Sequence, residues 1–259
     1  AASLLANEGI PVILLEAHFQ TGGCAGTFKR GKYIFDVGAT QVAGLETGGI
    51  HERIFKHLKI SPPTAKILDP ACLVDLCDGS EPIKIWHDQK KWQEERTKQF
   101  PNSELFWKLC SEIHKSNWEF NNRHPILPIR NFWDFNQLIK AFRVNTLFSA
   151  LLSPLTIRDL LLLCNCNKDL RLRKFLDLQL KLYSQENSSK TPALYGATIL
   201  QISQVPHGLF HLQKSMQELS NTLSESFLNN KGKLLLNHKV INLKKNRADE
   251  QWEVTVKNK

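Results

Sequence analysis

A carboxylate, a pair of glycines and an Asp-x-Gly stand in order near the start of the chain: Glu16, Gly22-Gly23 and Asp36-Val37-Gly38. Glu16 closes the apolar run Val12-Ile-Leu-Leu15, which follows Gly9-Ile10-Pro11 and reads as a buried parallel strand. At the C-terminal end of such a strand a carboxylate can accept O–H···O⁻ bonds from the ribose hydroxyls of an adenine dinucleotide. Paired glycines let a backbone approach a ligand with no β-carbon in the way. A plainer reading also fits each residue: a solvated Glu at a strand end, and glycines in a surface loop.

These residues need elements to hold them. Ala1-Ala-Ser-Leu-Leu-Ala-Asn-Glu-Gly9 reads as the last turns of a helix, with Gly9 where it stops. It has no Met, front cap or signal peptide, so the chain is expected to be an internal piece, with a phosphate-cradling Gly-x-Gly-x-x-Gly ahead of Ala1. A Gly-rich loop is expected from Thr21 to Gly49. Ala71–Cys77 and Pro82–Trp86 alternate about Asp78-Gly79, predicting a hairpin. Gln89–Tyr183 is mainly helical, punctuated by Pro101, Pro125, Pro128 and Pro154. Leu212–Asn230 reads as an amphipathic helix closed by Gly232, running into strands at 233–236 and 239–243. A last strand at 252–257 has no partner in view, so this end also reads as cut. The order predicts an α/β fold interrupted by a large helical insertion, with boundaries at 1–70, 71–205 and 206–259.

Composition narrows the classes. The 259 residues can bury a real core. With 42% hydrophobic residues and ordinary charge content, disorder and a disulfide scaffold are poor readings. No run reaches the roughly 18–20 apolar residues of a spanning helix. The six cysteines, at 24, 72, 77, 110, 164 and 166, include no Cys-x-x-Cys, so no metal site is expected and a reduced, intracellular setting is. Cys164-Asn-Cys166 is the one pair close enough to clasp a metal, and it has no matching pair elsewhere. The excess of 34 Lys+Arg over 25 Asp+Glu gives +9, which suits an acidic partner. The basic residues are scattered among acids, Arg171-Leu-Arg-Lys174 being the densest exception. A nucleic-acid module would need a basic stripe with interleaved aromatics, and none is visible.

Ile13-Leu-Leu-Glu16, Gly22-Gly23 and Asp36-x-Gly38 together resemble the extended dinucleotide-binding pattern of FAD-containing oxidoreductases of the amine oxidase and phytoene desaturase superfamily. Two departures stand out: Thr21 replaces the usual apolar residue, and Cys24 stands where amine oxidases carry Arg. The second favours the carotenoid branch. Gly22-Gly-Cys-Ala-Gly-Thr-Phe-Lys-Arg30, Phe35–Gly44, Gly48-Gly-Ile-His51, Glu95-Arg96 with Gln99-Phe-Pro101, and Pro206–Met216 resemble the carotenoid isomerase and desaturase family, above all its cyanobacterial 3',4'-desaturases. The likeness runs through most of the chain, in a family whose members are roughly twice as long.

That resemblance implies an incomplete Rossmann-like FAD-binding domain with a mainly helical substrate and membrane insertion. Its cofactor is FAD and its substrate a carotenoid, desaturated by hydride transfer or isomerised from cis to trans. Carried over by position, Glu16 and Ala17 would meet the adenosine ribose, and Gly22, Gly23 and Cys24 the pyrophosphate and ribityl chain. Gly38, Ala39, Thr40 and Gln41 would lie near the flavin ring, and the backbone of Val240 would meet the adenine. With the Gly-rich loop outside the chain, weak or no FAD binding by these 259 residues alone is expected. No proton-transfer residue stands out; His51, His207 and His211 read more plainly as surface or satisfied core side chains. The insertion is rich in Phe132, Trp133, Phe135, Leu138, Phe142, Leu147, Phe148, Leu151 and Leu152, edged by Arg130, Lys140 and Arg143. Such a segment can lie in a membrane interface, attaching the protein monotopically, or simply pack a helical domain.

Overall fold

A computed structural model describes residues 1–246 and 250–258, apart from the side chains of residues 144, 145, 147 and 148. In chain order the elements are α1 (Ala2–Asn7), β1 (Ile13–Leu15), a 3₁₀ turn (Gly23–Ala25), β2 (Thr27–Arg30), β3 (Tyr33–Asp36), α2 (Ile50–His57) and β4 (Ala65–Ile67). There follow β5 (Cys72–Val74), β6 (Ile83–Ile85), α3 (Gln89–Gln99), α4 (Glu104–Asn121), α5 (Phe132–Ala141), α6 (Val144–Leu151), α7 (Ile157–Leu163), α8 (Leu170–Ser184) and α9 (Ala193–Gln201). The chain returns through β7 (Phe210–Leu212), α10 (Gln217–Asn229), β8 (Lys233–Leu235), β9 (His238–Lys245) and β10 (Trp252–Asn258). These form two compact units, Ala1–Leu68 with Leu209–Lys259, and Asp69–Gly208.

In the first unit β1 pairs in parallel with β8, Leu14 opposite Leu234. Parallel neighbours need a crossover, and α10 leads into β8 from the same side that α1 leads into β1. The two helices pack together, and the Ser3 hydroxyl donates to the Leu223 carbonyl at 2.9 Å. Within the described residues this sheet has two strands, which leaves Ile13 61% exposed. The strand is therefore parallel as expected but not buried.

Three other expectations are corrected. Thr21–Gly49 is not one loop: Thr27–Arg30 and Tyr33–Asp36 form an antiparallel hairpin, Phe28 stacking on Phe35 with ring centroids 5.3 Å apart. Leu212 belongs to a strand, because Phe210–Leu212 pairs with the distant Ala65–Ile67, and the helix begins only at Gln217. The strand at 252–258 does have a partner, running antiparallel to β9 with a bulge at Thr255/Val256.

The second unit is mainly helical. The β5–β6 hairpin forms, Cys72 opposite Ile85, with residues 75–82 as its connection rather than a two-residue turn. Helix starts are capped locally: Asp88 accepts from Lys91 N–H, Asn131 from Asp134 N–H and Asp169 from Leu172 N–H, while Thr156 and Asp159 form a reciprocal capping box. The prolines at 101, 125, 128 and 154 all lie between helices, since proline offers no N–H to a helical ladder. Trp92, Phe100, Trp107, Leu160 and Phe175 lie at the centre of the core. The α9 backbone comes so close to α7 that a β-carbon at Gly196 would fall 2.4 Å from Ile157 Cγ1. The basic run at 171–174 is divided: Leu172 is buried, and Arg171 is spent internally on Asp78, the Glu81 carbonyl and Gln99.

Candidate functional site

Glu16 lies at the tip of β1, where the ladder ends. Its N–H donates to Leu235 O at 2.9 Å and its carbonyl accepts from His238 N–H at 2.8 Å, so its backbone is held by both the end of β8 and the start of β9. The side chain turns back, Oε1 accepting from the His18 N–H at 2.8 Å. Oε2 has no partner among the described residues. A half-buried carboxylate pinned through one oxygen and free at the other suits a ligand hydroxyl. Ala17 beside it is exposed, and His18 O accepts from Asn237 N–H, closing the tip.

The twin glycines divide their work. Gly22 takes φ +114°, and a β-carbon there would meet Ser220 Oγ at 3.0 Å and Gly26 Cα at 3.3 Å. It lets the loop press against α10. Gly23 takes φ +54°, and a β-carbon there would have nothing within 4 Å. Its exposed face is open to a ligand, while its left-handed conformation disfavours other residues. Cys24 is exposed; its carbonyl accepts from Ala39 N–H at 3.4 Å and would lie 3.1 Å from a β-carbon on Gly38. Gly22–Cys24 and Gly38–Ala39 thus form one cluster. Thr40, exposed, and Gln41, half-buried, lead from it to Val42, which bridges to Phe210. Val240 lies two residues beyond His238 and so belongs with the Glu16 tip, opposite Val256 in the β9–β10 ladder. A groove of about 800 Å³ beside α10 is lined by Phe19, Gln20, Thr27, Phe28 and Gln217, and by none of the ten candidate residues.

Two residues outside the candidate set hold the cluster. Gln217, on the first turn of α10, donates through Nε2 to Thr21 O at 2.8 Å and accepts at Oε1 from Thr27 N–H at 3.3 Å. One amide thereby spans the glycine turn. Asp36, at the end of β3, accepts from Met216 N–H at 3.0 Å, placing a carboxylate at the start of α10, where the helix dipole favours negative charge. The Asp-x-Gly pattern marked Asp36, whereas nothing local marked Gln217. The Thr21 hydroxyl meets Ser224 Oγ at 3.2 Å, a contact an apolar residue at this position could not make.

His51 starts α2 with its pKa lowered by burial against an opposing pull from Glu46, and His211 is exposed on β7. His207 is buried in the second unit, 4.1 Å from the Trp118 ring centre and 5.0 Å from that of His114. Cys166 Sγ donates to the Cys164 carbonyl at 3.2 Å. Among the described residues no group of three or more His, Cys, Asp or Glu could hold a metal.

Helix α5 turns its one acid inward. Asp134 is buried and accepts from the Arg130 N–H. Phe132 and Trp133 are left 82% and 60% exposed, with Phe135 and Ile139 exposed beside them. Phe142 packs against Phe120 with the rings tilted and their centroids 5.3 Å apart, and Leu138 and Leu152 are half-buried, so part of this apolar inventory does pack inward. The side chains of Leu147 and Phe148 lie outside the described residues. Among the described residues no helix is long and apolar enough to cross a membrane.

The first unit has a Rossmann-like fold, and comparison with known proteins agrees. Residues 1–58 match the family described as NAD(P)-binding Rossmann-like domain. All-trans-retinol 13,14-reductase of Danio rerio is 27% identical over 138 residues, 45% of this chain and 20% of that protein. Chloroplastic prolycopene isomerase of Daucus carota is 24% identical over 206 residues, 77% of this chain and 32% of that protein. The chain thus spans a third or less of these relatives' length. A solved putrescine oxidase, bound to putrescine, superposes with a TM-score of 0.58 over 98% of this chain and 51% of its own, at 14% identity. That likeness is one of fold.

Proposed function

We propose that this chain is part of an FAD-dependent oxidoreductase that desaturates the end of a carotenoid polyene. The observation that carries the reading is Glu16: a carboxylate at the tip of a parallel strand, oriented by its own backbone and free at one oxygen. In this reading Glu16 and Ala17 bind the ribose, Gly22, Gly23 and Cys24 border the pyrophosphate and ribityl chain, Gly38–Gln41 lie towards the flavin ring, and the Val240 backbone meets the adenine. The open face of Gly23 and the free Glu16 Oε2 fit such a dinucleotide. Bound flavin supplies a hydride acceptor. The chain's own part is to bind, to orient and to keep water away, so that hydride and proton leave adjacent carbons and a double bond forms.

The curated relatives act on retinol or prolycopene by name, which supports a polyene substrate. The likeness to a prolycopene isomerase over 77% of the chain favours a second reading, cis–trans isomerisation with the same cofactor. Incubating the longest gene product that carries these residues with carotenoids separates them. Desaturation lowers the product mass by two hydrogens and lengthens the conjugation, whereas isomerisation changes retention time at constant mass. No change in either would remove the carotenoid assignment.

A polyene must be drawn from lipid, and the exposed apolar face of α5 suits that task. Phe132, Trp133, Phe135 and Ile139, edged by the exposed Arg130, Lys140 and Arg143, support attachment to one leaflet of an anionic membrane.

A further inference from the structure

The β2–β3 hairpin of the first unit carries apolar and cationic side chains together and leaves both kinds bare. Residues 17–35 include Lys29, Arg30 and Lys32 and no acid. Phe28 lies opposite Phe35 and Arg30 opposite Tyr33, so these four share one face, while Lys29 and Ile34 form a pair on the other. Phe28, Tyr33, Ile34 and Phe35 are 42–61% exposed, and Lys29, Arg30 and Lys32 are exposed with them. The turn at the tip is set by Gly31 at φ +57°, where a β-carbon would have nothing within 4 Å. The Arg30 guanidinium lies 5.7 Å from the Phe28 ring centre, and the Lys32 ammonium 5.5 Å from that of Tyr33. Aromatic faces attract these cations but accept none of their hydrogen bonds. Two acids border the hairpin and both are engaged elsewhere. Asp36 accepts from Met216 N–H, and Glu218, in the groove beside Lys29 and Ile34, is paired with Lys214 at 3.5 Å. The three hairpin cations therefore meet no carboxylate among the described residues.

We propose that this hairpin is an interaction surface for an anionic phospholipid layer, entered tip first. Lipid phosphates take the free donors of Lys29, Arg30 and Lys32, whose stems run along the apolar side chains while their heads reach the charge. Phe28, Tyr33 and Phe35 settle at headgroup depth, where an apolar ring body and a polar edge are both served. Apolar groups on both faces suit a medium that surrounds the hairpin, whereas a nucleic-acid strand on the cations and aromatic rings would leave Ile34 bare. The inference does not rest on the carotenoid reading or on α5, since the hairpin belongs to the first unit and α5 to the second.

The test uses the longest gene product carrying these residues, with phosphatidylcholine vesicles that contain or lack phosphatidylserine, at low salt. Arg30→Gln combined with Lys32→Gln should weaken binding to the serine-containing vesicles about 25-fold, roughly fivefold for each cation near an anionic surface. That difference should fade at high salt, where the charges are screened. Both side chains are exposed, so the fold, followed by circular dichroism, is expected to stay intact. Tyr33→Trp reports on the hairpin itself: lipids brominated on their acyl chains should quench its added emission beyond the quenching seen in wild type. Unchanged vesicle binding by the double variant, or added emission that brominated lipid leaves untouched, would overturn the proposal whatever variants of α5 do. Tighter binding to a single-stranded oligonucleotide than to the vesicles, lost in the same double variant, would overturn it in favour of a nucleic-acid surface.

Discussion

Burial sets the titration of His114, on the inner face of α4. Its ring is 8% exposed, and neither nitrogen finds a partner among the described residues. Desolvation, with His207 adding to it, lowers its pKa to about 4. The unfolded chain binds that proton near the ordinary value of about 6.5. Between these values the unfolded state carries more protons, so stability is full above about pH 6.5 and is lost as pH falls towards 4. The loss attributable to His114 is on the order of 3 kcal/mol. His114→Phe should flatten the pH dependence of the urea midpoint across this window; an unchanged slope would contradict this. Nothing in the sequence distinguishes His114 from the other eight histidines, because only three-dimensional burial does so. Glu16 was legible by contrast, since a proline, an apolar run and an acid fix a strand end locally.

Between residues and the whole molecule, elements with a buried face or a local cap were readable. The helical block, the β5–β6 hairpin and the αβ return follow from apolar spacing, prolines and turn residues. The β2–β3 hairpin was hidden because both its faces are largely exposed: Phe28, Tyr33 and Phe35 cluster on one face, with Arg30 over Phe28 and Lys32 over Tyr33, while Ile34 lies exposed on the other, so no buried face marks the strands. Strand β7 was hidden because its partner lies some 145 residues away in sequence, which no local pattern encodes. Asp36 joins the exposed hairpin to α10, so Asp36→Ala should destabilise the fold by about 1 kcal/mol, the worth of a charge-assisted cap. A thermal melt equal to wild type would show that the contact contributes nothing. For α5, Phe132→Ser combined with Trp133→Ser should reduce flotation with anionic vesicles at low salt by about tenfold or more, since each side chain buries apolar area worth over 1 kcal/mol. Undiminished binding would reassign the face to other contacts.

For the molecule as a whole, a mainly helical unit interrupts a Rossmann-like one, and the interruption explains why the residues proposed to meet the dinucleotide are split between the first fifty positions and Val240. The turn and strand-end positions of Glu16, Gly22 and Gly23 could be read because local geometry dictates residue type there. The proteins similar to this chain share that frame while acting on different compounds, so the fold alone does not select the reaction. Everything proposed for catalysis depends on a dinucleotide resting against the tip of β1. The decisive measurement is flavin content, read by absorbance after purification of the longest gene product carrying these residues, in wild type and in Glu16→Lys. The account predicts near-stoichiometric FAD in the wild type and little in the variant, where a cation replaces the ribose acceptor while the fold, followed by circular dichroism, stays intact. Equal flavin occupancy in the two proteins would contradict it.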